Sequence, residues 1–152
     1  MTTQDYILYR SGYKYQLASG YRNKILIKPG VDIKTEFIDL DTDGNLLIRS
    51  GYACDGPSGP VKDTDENMRA AYEHDATYQL FRMGELDPEI YRELADKQFV
   101  ITCKVDAMHK NKLTRPFYAI RRWLDYRGLR RFAAFAADPD NKKEIHRAPD
   151  KP

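Results

Sequence analysis

An α+β fold is the class predicted for this 152-residue chain, and three observations predict it. Residues 1–53 hold short runs rich in Tyr, Ile and Leu, separated by Ser-Gly pairs that signal turns. Residues 63–137 instead carry apolar side chains at helical spacing. Between them, 54–62 is a Gly/Pro loop that neither ladder nor helix accommodates. The expected architecture is a single domain over 1–137, with a β-hairpin-rich N-terminal part packed on an antiparallel helix pair plus a third basic helix. A polar tail, 138–152, follows and is expected to fray or wrap the surface.

The strands come first. "DYILYR", "YKYQL" and "KILIKPG" read as three short strands. "TEFIDL" and "NLLIRSGYA" read as two more, joined by "DTDG", whose Asp-Gly pair suits a tight hairpin. The stretch from Asp39 through Asp41, Asp43 and Gly44 to Leu46 also matches the first eight positions of an EF-hand loop. Its twelfth position is Ser50, where that loop needs a bidentate Glu, and its flanks read as strands, so the hairpin is preferred.

The helices follow. Asp63, Asp65 and Glu66 bring negative charge to a helix start, and Gly84 suits its C-terminal end. Asp87 and Pro88 supply the next N-cap and first helical residue. A third helical stretch is expected from about 115 to 137, interrupted or bent near Gly128. Within 112–131 seven basic residues face Asp125 alone, with aromatic and aliphatic residues interleaved. Such a pattern suits either a helix with its apolar face in the core and a solvated basic face, or a basic amphipathic helix on an anionic surface.

Composition excludes some classes. No apolar run approaches the roughly 20 residues that cross a bilayer, so no transmembrane segment is expected. The first ten residues lack the basic start and apolar run of a signal peptide. A net charge of +2 does not imply a nucleic-acid partner, and none is expected. Cys54 and Cys103 are too few and too far apart for a disulfide scaffold or a zinc site. His74, His109 and His146 form no H-x-x-x-H pair, which argues against a zinc peptidase.

Chemistry concentrates in "AAYEHDATYQLFR", residues 70–82. His74 and Tyr78 share a face at i and i+4, and Asp75 lies three residues before Tyr78. Asp96 shares a stripe with Phe99, Val100 and Cys103 on the next helix, so it too is expected to face inward. Two antiparallel helices can bring Asp96 to His74 as a dyad, in which the carboxylate orients an imidazole base. Asp75 is then left as a hard oxygen ligand suited to calcium, near the carbonyls of the "CDGPSGP" loop.

That order of motifs resembles the secreted phospholipase A2 superfamily, in its bacterial and fungal branch, over H-D-x-x-Y (His74, Asp75, Tyr78) and the partner motif containing Asp96 and Phe99. The resemblance implies a phospholipase A2-like helix pair with catalytic residues His74, Asp96 and Tyr78. It implies calcium as cofactor, held by Asp75 and loop positions such as Cys54, Gly56 and Ser58. Gly56, Ser58 or Gly59 would offer oxyanion N–H groups, which Pro57 and Pro60 cannot. The disulfides of those enzymes are absent here. A second resemblance covers 51–103: "CDGPSGP", "HDATY" and "ADKQF" are similar to the D-G-x-S-x-P, H-D-x-x-Y and A-D-x-x-F motifs of an uncharacterised family of phage and prophage proteins. Together they imply a phage-derived calcium-dependent phospholipid hydrolase, with a non-catalytic virion or assembly component as the alternative. Location would be the host cytoplasm or the virion. Arg121, Arg122, Trp123, Arg127, Arg130 and Arg131 would meet an anionic lipid surface or a phage protein partner.

Overall fold

The computed structural model describes residues 7–9, 12–56, 65–108, 124, 126–131, 134–138, 140 and 144–148. Its strands are β1 (Ile7–Tyr9), β2 (Tyr15–Gln16), β3 (Tyr21–Lys24), β4 (Ile33–Lys34), β5 (Ile38–Leu40), β6 (Asn45–Ile48), β7 (Ala53–Cys54) and β8 (His146–Ala148). Its long helices are α1 (Asp65–Met83) and α2 (Pro88–Ala107). The α+β class therefore holds.

The strands form three antiparallel sheets. β3, β6, β5 and β4 lie side by side in that order, while β2 pairs with β7 and β1 with β8. The β5–β6 hairpin turns where Asp-Gly required it. Asp41 Oδ1 accepts the Asp43 and Asn45 N–H groups at 2.9 and 2.8 Å, and Gly44 adopts φ +85°, which favours glycine. A Cβ on Gly44 would sit 2.7 Å from the Ile25 carbonyl oxygen. Asp41 is thus spent on the turn itself, and Asp39 pairs with Arg49 at 2.5 Å, so neither is laid out as in a calcium loop.

One strand expectation needs correction, and two strands, β4 and β8, went unread. β3 lies upstream of "KILIKPG", at Tyr21–Lys24, because that is the segment opposite β6. Residues 25–27 keep the in-out alternation, with Ile25 and Ile27 buried and Leu26 exposed. β4, unread in the sequence, is only two residues long. The segment expected to fray or wrap includes β8, which closes on β1.

Helix ends follow their local chemistry. Gly84 at φ +78° ends α1, and the Gly84 and Glu85 N–H groups bond back to the Phe81 and Leu80 carbonyls. Asp87 caps α2 by accepting the Glu89 N–H at 2.8 Å, with Pro88 at the start. The four residues between the helices fold α2 back antiparallel. Arg69 accordingly meets Asp106 near the far end, and Glu73 meets Thr102. Further along, residues 126–131 stay helical through Gly128, and the change comes later, at a 3-10 turn (Phe135–Ala137). No helix among the described residues is long and apolar enough to cross a membrane.

The sheet's inner face and the helix pair share one core. Ile33, Ile38, Leu40, Leu46 and Ile48 point inward and join Ala76, Leu80 and Phe81. Each Ile, Leu or Phe side chain among them contributes about 1.5–3 kcal/mol on burial. A second cluster, Ala70, Ala71, Phe99 and Cys103, seals the helices on the other side, with Leu129 packed against it. The small alanines let α1 and α2 approach closely. His74 and Asp96 meet between these two clusters.

Candidate functional site

Four side chains converge on the Asp96 carboxylate, which is 0% exposed. His74 Nε2 lies 2.9 Å from Oδ1, and the Tyr78 hydroxyl donates to the same oxygen at 2.8 Å. Arg130 Nη1 donates to Oδ2 at 3.1 Å, and Arg92 Nε stands 3.9 Å from that oxygen. Burial alone would push the Asp96 carboxyl up; the bonds from His74, Tyr78 and Arg130 outweigh it and hold the group below the usual carboxylate range. Asp96 is therefore an ionised acceptor, and His74 presents Nε2–H to it. Nδ1 is the nitrogen left for chemistry.

The imidazole is fixed by packing as well. Its ring stacks on Tyr78 at 4.1 Å and meets the edge of Phe99 at 5.8 Å. Tyr78 is in turn edge-on to Phe81. Burial, then Asp96, pushes the Tyr78 phenol far above its ordinary value, so it stays a donor. His74 itself is 8% exposed.

Asp75 points away from this group, toward the end of β7. The residue keeps some exposed surface, yet burial of its carboxyl raises it to about 6, with His74 and Arg82 opposing and Asp55 reinforcing the rise. The Cys54 thiol bonds to the Asp75 carboxyl and the Tyr72 hydroxyl, and burial pushes that thiol up to about 12, which makes it inert as a nucleophile. Tyr52 and Tyr72 wall this corner, their ring centroids 6.3 Å apart.

The expected loop ligands fare differently. The Cys54 carbonyl accepts the Lys14 N–H at 3.0 Å within the β2–β7 pairing, so the thiol, not the carbonyl, is what Cys54 brings to Asp75. Gly56 is buried at φ +76°, and its N–H bonds to Cys54, which removes it as an oxyanion donor. Ser58 and Gly59 lie outside the described residues. Asp55, which sequence reasoning passed over, stands near enough to raise Asp75. Among the described residues no three His, Cys, Asp or Glu side chains gather as a metal site.

The basic set also divides. Arg121, Arg122 and Trp123 lie outside the described residues. Arg127 and Arg131 are exposed. Arg130 is half-buried, and its guanidinium reaches inward because Asp96, buried and ionised, has a second oxygen to satisfy.

Sequence reasoning missed a second carboxylate, Glu73, which is 1% exposed. It accepts the Tyr21 hydroxyl at 2.5 Å, Asn23 Nδ2 at 2.6 Å, the Thr102 hydroxyl at 2.6 Å and Gln98 Nε2 at 3.4 Å. Gln98 also accepts the Leu26 N–H through Oε1 at 3.1 Å. The available signal was Gln98 and Thr102, two polar residues at i and i+4 that share a face with each other. A recess of about 650 Å³ lies elsewhere, over the outer face of the four-stranded sheet between Arg22, Lys34 and Asp39, and no residue of the Asp96 group lines it.

Compared with family models, curated proteins and solved structures, the chain matches none.

Proposed function

We propose that the chain is a calcium-dependent hydrolase of ester bonds, with phospholipids as the substrate class, in which His74 activates water. The observation that carries this reading is the 2.9 Å bond from His74 Nε2 to a wholly buried carboxylate. An imidazole so held has one tautomer and one orientation, which is what a general base requires. Nδ1 takes a proton from water as the water oxygen bonds to the ester carbonyl carbon. The carbon–oxygen bond to the alcohol then breaks, and the imidazolium returns its proton to that alcohol. Asp96 stabilises the imidazolium throughout, and Tyr78 keeps Asp96 from turning.

Asp75 and Asp55, with backbone oxygens beside Gly56, would hold the calcium ion. The fit is chemical: Asp75 is a carboxyl whose burial favours its neutral form, and a hard divalent cation would offset that cost. Bound calcium would polarise the ester carbonyl. Arg127 and Arg131, with Arg121, Arg122 and Trp123, would meet the anionic lipid surface. An enzyme with such phage-like motifs would act in an infected cell or a virion.

The test is fatty-acid release from phosphatidylglycerol vesicles in calcium. Wild type should release it, and His74→Ala, with an unchanged thermal melt, should lose roughly 10³-fold or more. Equal rates in the two proteins would refute the reading. In parallel, calorimetric calcium titration should show binding to wild type and none to Asp75→Asn.

One observation favours a second reading, a non-catalytic phage structural or accessory protein. Glu73 ties β3 to both helices with no chemistry attached, and Asp96 with Arg130 ties the helix pair to residues 126–131 in the same manner.

A further inference from the structure

We infer that Arg130 is a positioning residue of the dyad: its guanidinium pins the second oxygen of Asp96 and thereby fixes the tautomer and direction of His74. This rests on the hydrolase reading for its kinetic consequence, though not for its structural one. A carboxylate has two oxygens, and His74 and Tyr78 both use Oδ1. With Oδ2 unbonded and fully buried, the group would be free to rotate and expensive to keep ionised. Among the described residues, Arg130 supplies the one hydrogen bond to Oδ2, at 3.1 Å. Arg92 does not replace it: its Nε is 3.9 Å away and finds no hydrogen-bond partner among the described residues, while its Nη2 donates to the Arg130 carbonyl at 2.7 Å. Arg92 therefore holds the backbone of Arg130 in place, and Leu129 anchors the same turn on the Phe99 cluster. Residues 126–131 are built to deliver one guanidinium to one oxygen.

The experiment records ¹⁵N imidazole shifts of His74 and vesicle hydrolysis for wild type, Arg130→Gln, Arg130→Lys and Leu129→Ala. Arg130→Gln should mix the two neutral tautomers of His74 and lower kcat about 10- to 100-fold, with KM within about twofold. Arg130→Lys, which keeps a cation in reach of Oδ2, should hold the Nε2–H tautomer and recover most of the rate. Leu129→Ala, which loosens the turn that carries Arg130, should lower the melting temperature and mix the tautomers less than Arg130→Gln does. An Arg130→Gln protein with the wild-type tautomer overturns the inference. If Arg130→Gln does not fold, Arg130→Met, which fills the same space without a donor, takes its place, and a wild-type tautomer there overturns the inference. A wild type that hydrolyses nothing refutes the hydrolase reading, while the shifts still decide the role of Arg130.

Discussion

Glu73 and Asp96 are both carboxylates sealed in the interior, and they are satisfied in opposite ways. Among the described residues, Glu73 accepts hydrogen bonds from four neutral donors, two on β3 and two on α2, with the Arg69 charge nearby. Asp96 accepts from an imidazole, a phenol and a guanidinium. Neutral amides and hydroxyls have no second protonation state near neutral pH, so the Glu73 group is a fixed strut. An imidazole can gain a proton and needs a counter-charge when it does. His74 and Glu73 are adjacent in sequence, so one turn of α1 presents a strut to the sheet side and a titratable pair to the other.

The largest expected effect breaks the strut. Glu73→Ala takes the shared acceptor from four donors, two of them buried and two half-buried, and should cost about 3–5 kcal/mol in denaturant unfolding, with little effect on the rate per folded molecule. A smaller change should follow at Asp75, with the opposite sign. Its folded pKa, about 6, lies above the ordinary aspartate value of 3.8. Stability linked to it is therefore full below about pH 4 and lost as pH rises through 6. Asp75→Asn should stabilise the calcium-free protein by about 1–3 kcal/mol at pH 7–8, a gain that fades by pH 4. Thermal melts across that range would show it, and a flat difference would contradict it.

A matched pair sharpens the comparison further. Tyr78→Phe and Tyr21→Phe delete the same hydroxyl from the two carboxylates. Tyr78→Phe leaves Oδ1 to His74 alone and should cost about 1–2 kcal/mol; Tyr21→Phe leaves Glu73 three donors and should cost about 1 kcal/mol. Only the first should change hydrolysis. Equal kinetic effects would erase the distinction between strut and dyad.

What could be read from sequence was what local chemistry determines. The 41–44 turn, the Gly84 end of α1 and the Asp87 cap of α2 each depend on residues within a few positions. The dyad was legible because a short turn between two periodic helices leaves one way to fold them. Contacts between distant segments were not. Tyr21 reaches Glu73 across 52 positions, and Arg130 reaches Asp96 across 34. Nothing in "YRNK" announces a buried carboxylate, and Arg130 reads like its neighbours in an Arg-rich run. β4 escaped for the same reason, since two residues carry no period and the strand exists only through β5.

The pairing of β1 with β8 has a mechanical consequence. Ile7 lies opposite Ala148 and Tyr9 opposite His146, so the flanking chain leaves the ladder at the same end on both strands. Antiparallel ladder bonds run perpendicular to the strands. Tension applied outside Ile7 and Ala148 would act along those bonds and load them one at a time. This clasp should open as a zipper at low force and leave the four-stranded sheet and the helix pair unloaded until it has parted.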